Sequence, residues 1–69
     1  MMRFTEIRPT AHYLASHARE VPWHEVVEAI FLTKGPRRKG DKFEIENGAL
    51  YVLFEVSEGV IHVINAKRQ

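Results

Sequence analysis

The spacing of apolar residues changes period along this chain, and each change predicts an element. From Ala11 the apolar positions recur at Leu14, Ala15 and Ala18. That i, i+3, i+4, i+7 spacing predicts one face of a helix of about three turns. Before it, Met2–Ile7 reads as a short strand with Phe4 and Ile7 as its apolar positions, and Arg8-Pro9-Thr10 breaks the pattern and supplies a threonine N-cap. Pro22 suits the first turn of a second helix, where its missing N–H costs nothing. Trp23, Val26, Val27, Ile30 and Phe31 form the stronger stripe there, with Glu25 and Glu28 placed where the helix dipole favours negative charge. Thr33-Lys34-Gly35-Pro36 closes the helix.

Beyond the basic loop Gly35–Gly40, the period becomes two. Lys42-Phe43-Glu44-Ile45-Glu46 alternates, Ala49–Val56 is a long apolar strand, and Val60–Ala66 is the last strand before Lys67-Arg68-Gln69. Asn47-Gly48 and Glu58-Gly59 separate the strands as two-residue turns. Such turns set Ile45 opposite Leu50, Phe43 opposite Val52, Val56 opposite Ile61 and Phe54 opposite Val63. These residues share the face that receives the helices. The other face then carries Lys42, Glu44, Tyr51, Leu53, Glu55, His62 and Ile64, with Glu55 across from His62 and Glu44 across from Tyr51. The predicted fold is α+β in the order β-α-α-β-β-β, with both helices on one face of a small antiparallel sheet.

Length and composition bound this picture. Sixty-nine residues make one domain, 1–69, and 45% hydrophobic residues suit a globular chain rather than a disordered one. A chain of this size buries only about 60% of its unfolded surface. Without cysteine there are no disulfides or thiolate zinc sites, so association with a second copy or a partner is expected. The absence of cysteine agrees with a reducing, cytoplasmic setting. No segment approaches the length of a membrane span, and the N-terminus shows no hydrophobic signal region.

Net charge is +1, but Lys34, Arg37, Arg38, Lys39 and Lys42 fall close together, opposed only by Asp41. Such a patch suits a phosphate backbone, or simply keeps a loop solvated. The face with Lys42, Tyr51, Glu55 and His62 offers a cation, a phenol, a carboxylate and an imidazole, the group types of acid–base chemistry. An ordinary solvated sheet face with a cross-strand Glu–His pair has the same composition. No HxH or HExxH spacing occurs, and His12 and His17, five apart, do not share a helix face, so no metal site is expected. Trp23 reads as core, Tyr13 as a residue at the edge of the first helix. Ser16 and Ser57 lack the context of a nucleophile.

Three stretches resemble the BrnT family of ribonuclease toxins and the related small RelE-like domains. They are Val21-Pro22-Trp23-His24-Glu25-Val26 through Ala29-Ile30-Phe31, then Asp41-Lys42-Phe43, then Val60-Ile61-His62-Val63-Ile64-Asn65-Ala66-Lys67-Arg68. The resemblance implies a RelE-like fold, a partner antitoxin, and RNA cleavage with the 2′-OH as nucleophile and without a metal or other cofactor. Lys42, His62 and Lys67 fall where the family usually has arginines. The resemblance assigns His62 and Glu55 as the acid–base pair, with Lys42, Lys67 and Arg68 on phosphate charge. Arg37, Arg38 and Lys39 join Arg68 in binding RNA. The alternative is a non-catalytic binding or homodimeric interaction module on the same scaffold.

Overall fold

The computed structural model describes residues 6–33, 35–46 and 48–69. The elements run β1 (Glu6–Pro9), α1 (Ala11–Ser16), α2 (Trp23–Leu32), β2 (Arg37–Lys39), β3 (Lys42–Glu46), β4 (Leu50–Ser57) and β5 (Val60–Arg68). They form an α+β fold: a five-stranded sheet of order β1-β5-β4-β3-β2 with the helices on one face. All pairings are antiparallel except β1 with β5, which is parallel. The predicted strand over Met2–Ile7 begins outside the described residues, and its described part runs on to Pro9.

The predicted basic loop is in part a strand. Arg37–Lys39 pairs with β3 along the sheet edge. Three consecutive cations carry no apolar alternation, so nothing in their pattern announces a strand. Charged side chains nevertheless suit an exposed edge, where they oppose pairing with another chain. Gly40, at φ 66°, opens the two-residue turn back into β3, as a II′ turn requires of its first central residue.

The two long hairpins meet their predictions differently. Between β4 and β5 the expected pairs form: Phe54 with Val63, Glu55 with His62, Val56 with Ile61. Glu58 (φ 52°) and Gly59 (φ 78°) both take positive φ, as a I′ turn demands. Between β3 and β4 the register lies two residues from the expected one: Ile45 meets Val52, Phe43 meets Phe54, and Glu46 meets Tyr51. Because side chains alternate with period two, that shift changes neighbours but not faces. The Asn47 half of the predicted Asn47-Gly48 turn, like Lys34 in the helix closure, lies outside the described residues.

A further departure is a bulge in β5. Phe54 pairs with Val63 while Leu53 pairs with Asn65, so Ile64 is an extra residue. It reverses the alternation beyond it. Ala66 enters the core, fully buried. Lys67 instead of Arg68 joins the face of His62, and Asn65 takes the place expected for Ile64.

The helices also differ from the pattern. On α1 the stripe residues Ala11, Leu14 and Ala15 are exposed, Ala18 beyond the helix is partly buried against the core, and Tyr13 is fully buried. The helix is six residues long, too short for a stripe of small residues to set its rotation. One aromatic ring buries more apolar surface than three alanines. The Tyr13 hydroxyl donates to the Val21 carbonyl at 2.6 Å, and its ring lies 5.5 Å from Trp23. Burial, with the Glu25 carboxylate second, pushes the Tyr13 phenol up, so the donor stays protonated. On α2 the buried residues are Val26, Ala29 and Ile30, and Phe31 and Leu32 are exposed. Thr10 caps α1 by accepting from the Tyr13 N–H, and its own hydroxyl donates to the Val63 carbonyl at 2.8 Å. That one threonine ties α1 to β5.

Two outcomes follow for stability. Removing the Tyr13 hydroxyl in Tyr13→Phe leaves a buried carbonyl unpaired and costs about 1–3 kcal/mol in urea unfolding. Glu58→Asn relieves a left-handed position that only glycine and asparagine visit readily, and raises stability by about 1 kcal/mol in the same assay. A neutral Tyr13→Phe contradicts the buried bond.

Candidate functional site

The sheet face away from the helices carries three rows of side chains, each running across the strands. The first row contains Lys39 on β2, Lys42 on β3, Glu55 on β4, His62 on β5 and Arg8 on β1. The pairings Lys39–Lys42, Glu55–His62 and Arg8–His62 are direct. Continuing the Phe43–Phe54 register by one residue sets Lys42 beside Glu55. The second row is Arg37, Glu44, Leu53 and Asn65, and the third is Glu46, Tyr51 and Lys67. The alternation of the strands brings Lys42, Glu55 and His62 to this face. The Ile64 bulge adds Lys67.

In the first row, Glu55 and His62 are both half-buried. Lys42 donates to Asp41 at 3.1 Å, and Arg8 pairs with Glu6 across one intervening residue. No ion pair joins Glu55 to His62 among the described residues. Their rings and carboxyl are neighbours by register rather than by bond.

The second and third rows are tightly linked. Glu44 is the most buried charged residue described, with its side chain 10% exposed. It accepts from the Tyr51 hydroxyl at 2.8 Å and from Arg37 Nε at 2.8 Å, with Lys39 Nζ 3.9 Å away. Arg37 also donates to Glu46, which accepts from Gln69 at 2.9 Å. Lys67 Nζ sits 5.3 Å from the Tyr51 ring centre, a cation over an aromatic face. The Tyr51 hydrogen bond, then the Arg37 bond and charge, hold the Glu44 carboxyl below its ordinary range against the opposing effect of burial. Burial and the Glu44 carboxylate push the Tyr51 phenol up. A cavity of about 160 Å³ lined by Thr33, Gly35, Arg37, Glu44, Ile45 and Glu46 opens at this end of the sheet, away from His62.

Two of the expected site residues stand on the opposite side. Arg38 lies over the Phe43 ring, 5.9 Å from its centre, and donates to the Gly40 carbonyl. Arg68 forks onto both oxygens of Glu25 at 3.1 and 2.7 Å, and its backbone N–H reaches Glu20. The bulge turns Arg68 toward the helices, where it clips β5 to α2. Neither cation shares the surface of His62. Arg8 and Asn65 belong to this face and escaped the sequence reading. The alternation already put Glu44 there, but Arg8 needed the parallel β1–β5 pairing and Asn65 needed the bulge. The Asn65 side-chain oxygen is buried and without a hydrogen bond.

The sequence matches no protein-family model and no curated protein. The structure does match a chain of the toxin–antitoxin complex RelBE2 from Mycobacterium tuberculosis, with a TM-score of 0.63. The match covers 100% of this chain and 94% of that one at 13% identity. The two chains share a RelE-like fold.

The Glu44 network has a pH signature. Its folded carboxyl titrates below the ordinary value of 4.5, so its stabilising effect is complete above that value and is lost as pH falls through the folded pKa. In a carboxyl NMR titration, Tyr51→Phe moves the Glu44 midpoint upward, because the largest cause of the depression is removed. A midpoint at or above the ordinary carboxylate value in the native chain contradicts the network.

Proposed function

We propose that this protein is a toxin-like ribonuclease of a bacterial toxin–antitoxin pair, cleaving RNA without a metal. The observation that carries the reading is the first row, in which an imidazole stands between a carboxylate and a guanidinium, with two ammonium groups beyond. The shared fold with a chain of a toxin–antitoxin complex supports it. Glu55 takes the proton of a ribose 2′-OH, and the oxygen attacks the adjacent phosphorus. The bond to the 5′-oxygen breaks, and that oxygen receives its proton from His62. The product is a 2′,3′-cyclic phosphate. Imidazole suits the acid role because it carries a removable proton near neutrality. Lys42, Lys67 and Arg8 stabilise the charge that gathers on the phosphoryl oxygens. Lysine does this as a point charge, without the two-pronged fit of arginine. Lys39 extends the cationic end of the row. Arg37 is held by Glu44 and Glu46 and contributes to RNA binding only by exchanging those partners for phosphate. In this reading an antitoxin covers exposed apolar surface such as that of Phe31 and Leu32.

The second reading is a non-catalytic binding module on the same scaffold. It is favoured by the ion pairs that already engage Arg8, Arg37 and Lys42, and by the missing bond between Glu55 and His62. The two readings part on one experiment. Purified protein is incubated with bulk RNA and the fragment ends are mapped. The nuclease yields cyclic-phosphate ends at a rate that His62→Ala lowers by about 10²–10⁴-fold, the usual contribution of a general acid. RNA binding without cleavage by the native chain, unchanged in His62→Ala, establishes the binding module instead.

A further inference from the structure

The two imidazoles of α1 and its C-cap take no part in the sheet face or in the core. His12 lies within the helix, and His17 caps it with φ −125° and ψ −19°. That departure from helical geometry overrides the five-residue spacing, which on a continuous helix would separate the rings. The Nε2 atoms of His12 and His17 stand 3.2 Å apart, with ring centres 5.0 Å apart and planes tilted by 56°. Without a metal, one ring nitrogen donates its proton to the lone pair of the other.

The same separation suits a metal. Bonds of about 2.0–2.1 Å to a tetrahedral zinc hold two nitrogen ligands about 3.3–3.4 Å apart. The observed spacing agrees with this to within about 0.2 Å, the tolerance expected of a real site. Both residues are reached from solvent. The backbone that sets the spacing is itself fixed: the His17 N–H donates to the Tyr13 carbonyl at 2.8 Å, and Tyr13 is anchored in the core.

We propose that His12 and His17 form a two-histidine chelate for zinc or a similar late divalent transition metal, bound through both Nε2 atoms. On binding, the ring that donates from Nε2 moves that proton to Nδ1, so both rings stay neutral and both Nε2 lone pairs are free for the metal. Imidazole ligands select this class of ion over calcium or magnesium. No set of three or more His, Cys, Asp or Glu side chains converges among the described residues, so the remaining positions belong to water or to donors from another molecule. The bound ion joins the first turn of α1 to its C-cap and leaves the acid–base row untouched. The inference is independent of the proposed ribonuclease activity.

Titration of the full chain with zinc, followed by histidine side-chain NMR, tests it. The rings of His12 and His17 shift together to the pattern of metal-bound Nε2, while those of His24 and His62 stay in place. His12→Ala and His17→Ala each weaken zinc binding by at least about tenfold, since even outer-sphere losses cost that much. His24→Ala binds as the native chain does. Both histidines are peripheral, and circular dichroism checks that the variants keep the fold. One zinc per chain identifies water as the source of the other ligands, and one per two chains identifies a second copy; either result retains the chelate. Absence of any zinc-induced change at the two rings, equal shifts at all four histidines, or native affinity in either chelate variant overturns it.

Discussion

The register of β4 against β5 decides where nearly every side chain of interest stands. It is set at one end by Glu58 and Gly59, whose positive φ values close the chain in two residues. Further along it is reset by the extra residue Ile64. Between these two points Glu55 and His62 face away from the helices, and Ile61 and Val63 face toward them. Past the bulge the assignment reverses, so Ala66 packs in the core and Lys67 reaches the outer face. Without the bulge Lys67 would be directed at the helices, and Ala66 in place of Lys67 would stand across from Tyr51. The ion pair of Arg68 with Glu25 and the contact of Lys67 with Tyr51 are thus two results of one inserted residue.

Strand β5 also collects the connections of the helical layer. Thr10 donates to the Val63 carbonyl from the start of α1, and Arg68 holds Glu25 on α2. With β1 on one flank and β4 on the other, β5 is held on both edges and covered on one face. Such a strand opens only with the whole fold. Side chains on its free face therefore keep fixed mutual positions at the level of the backbone, which a catalytic constellation requires. The edge strands β1 and β2 contribute cations instead, Arg8, Arg37 and Lys39, on long side chains that exchange partners readily.

Much of this arrangement was legible because alternation has a period of two. The inner residues Ile45, Val52, Phe54, Ile61 and Val63 are buried as their positions imply. Even the β3–β4 pairing, two residues away from the expected one, keeps Lys42, Glu44 and Tyr51 on the outer face. The Glu44–Tyr51 contact survives as a diagonal bond between neighbouring rows. The bulge was not legible, since Ile64 is an ordinary strand residue and no glycine marks the site. Strand β2 was hidden by its charge. On α1 the hydrophobic pattern misled, because an exposed stripe of alanine costs little and one buried tyrosine with a satisfied hydroxyl outweighs it.

The outer face is closely balanced in charge, and the balance is local. Arg37 and Lys39 surround Glu44, Lys42 has Asp41, and Arg8 has Glu6. Apart from Glu44, the groups in these pairs are largely exposed, and surface pairs of this kind contribute little to stability. Exchanging such carboxylate partners for a phosphate therefore costs little. The part-buried pair of Tyr51 and Glu44 is different: it supports Lys67 from below and fixes the third row. In the proposed nuclease, the RNA phosphate meets a face with a rigid central strand, one part-buried acid–phenol pair and loosely held cations at its margins. The acid–base chemistry of that proposed nuclease turns on the place where Glu55 and His62 stand side by side without being joined.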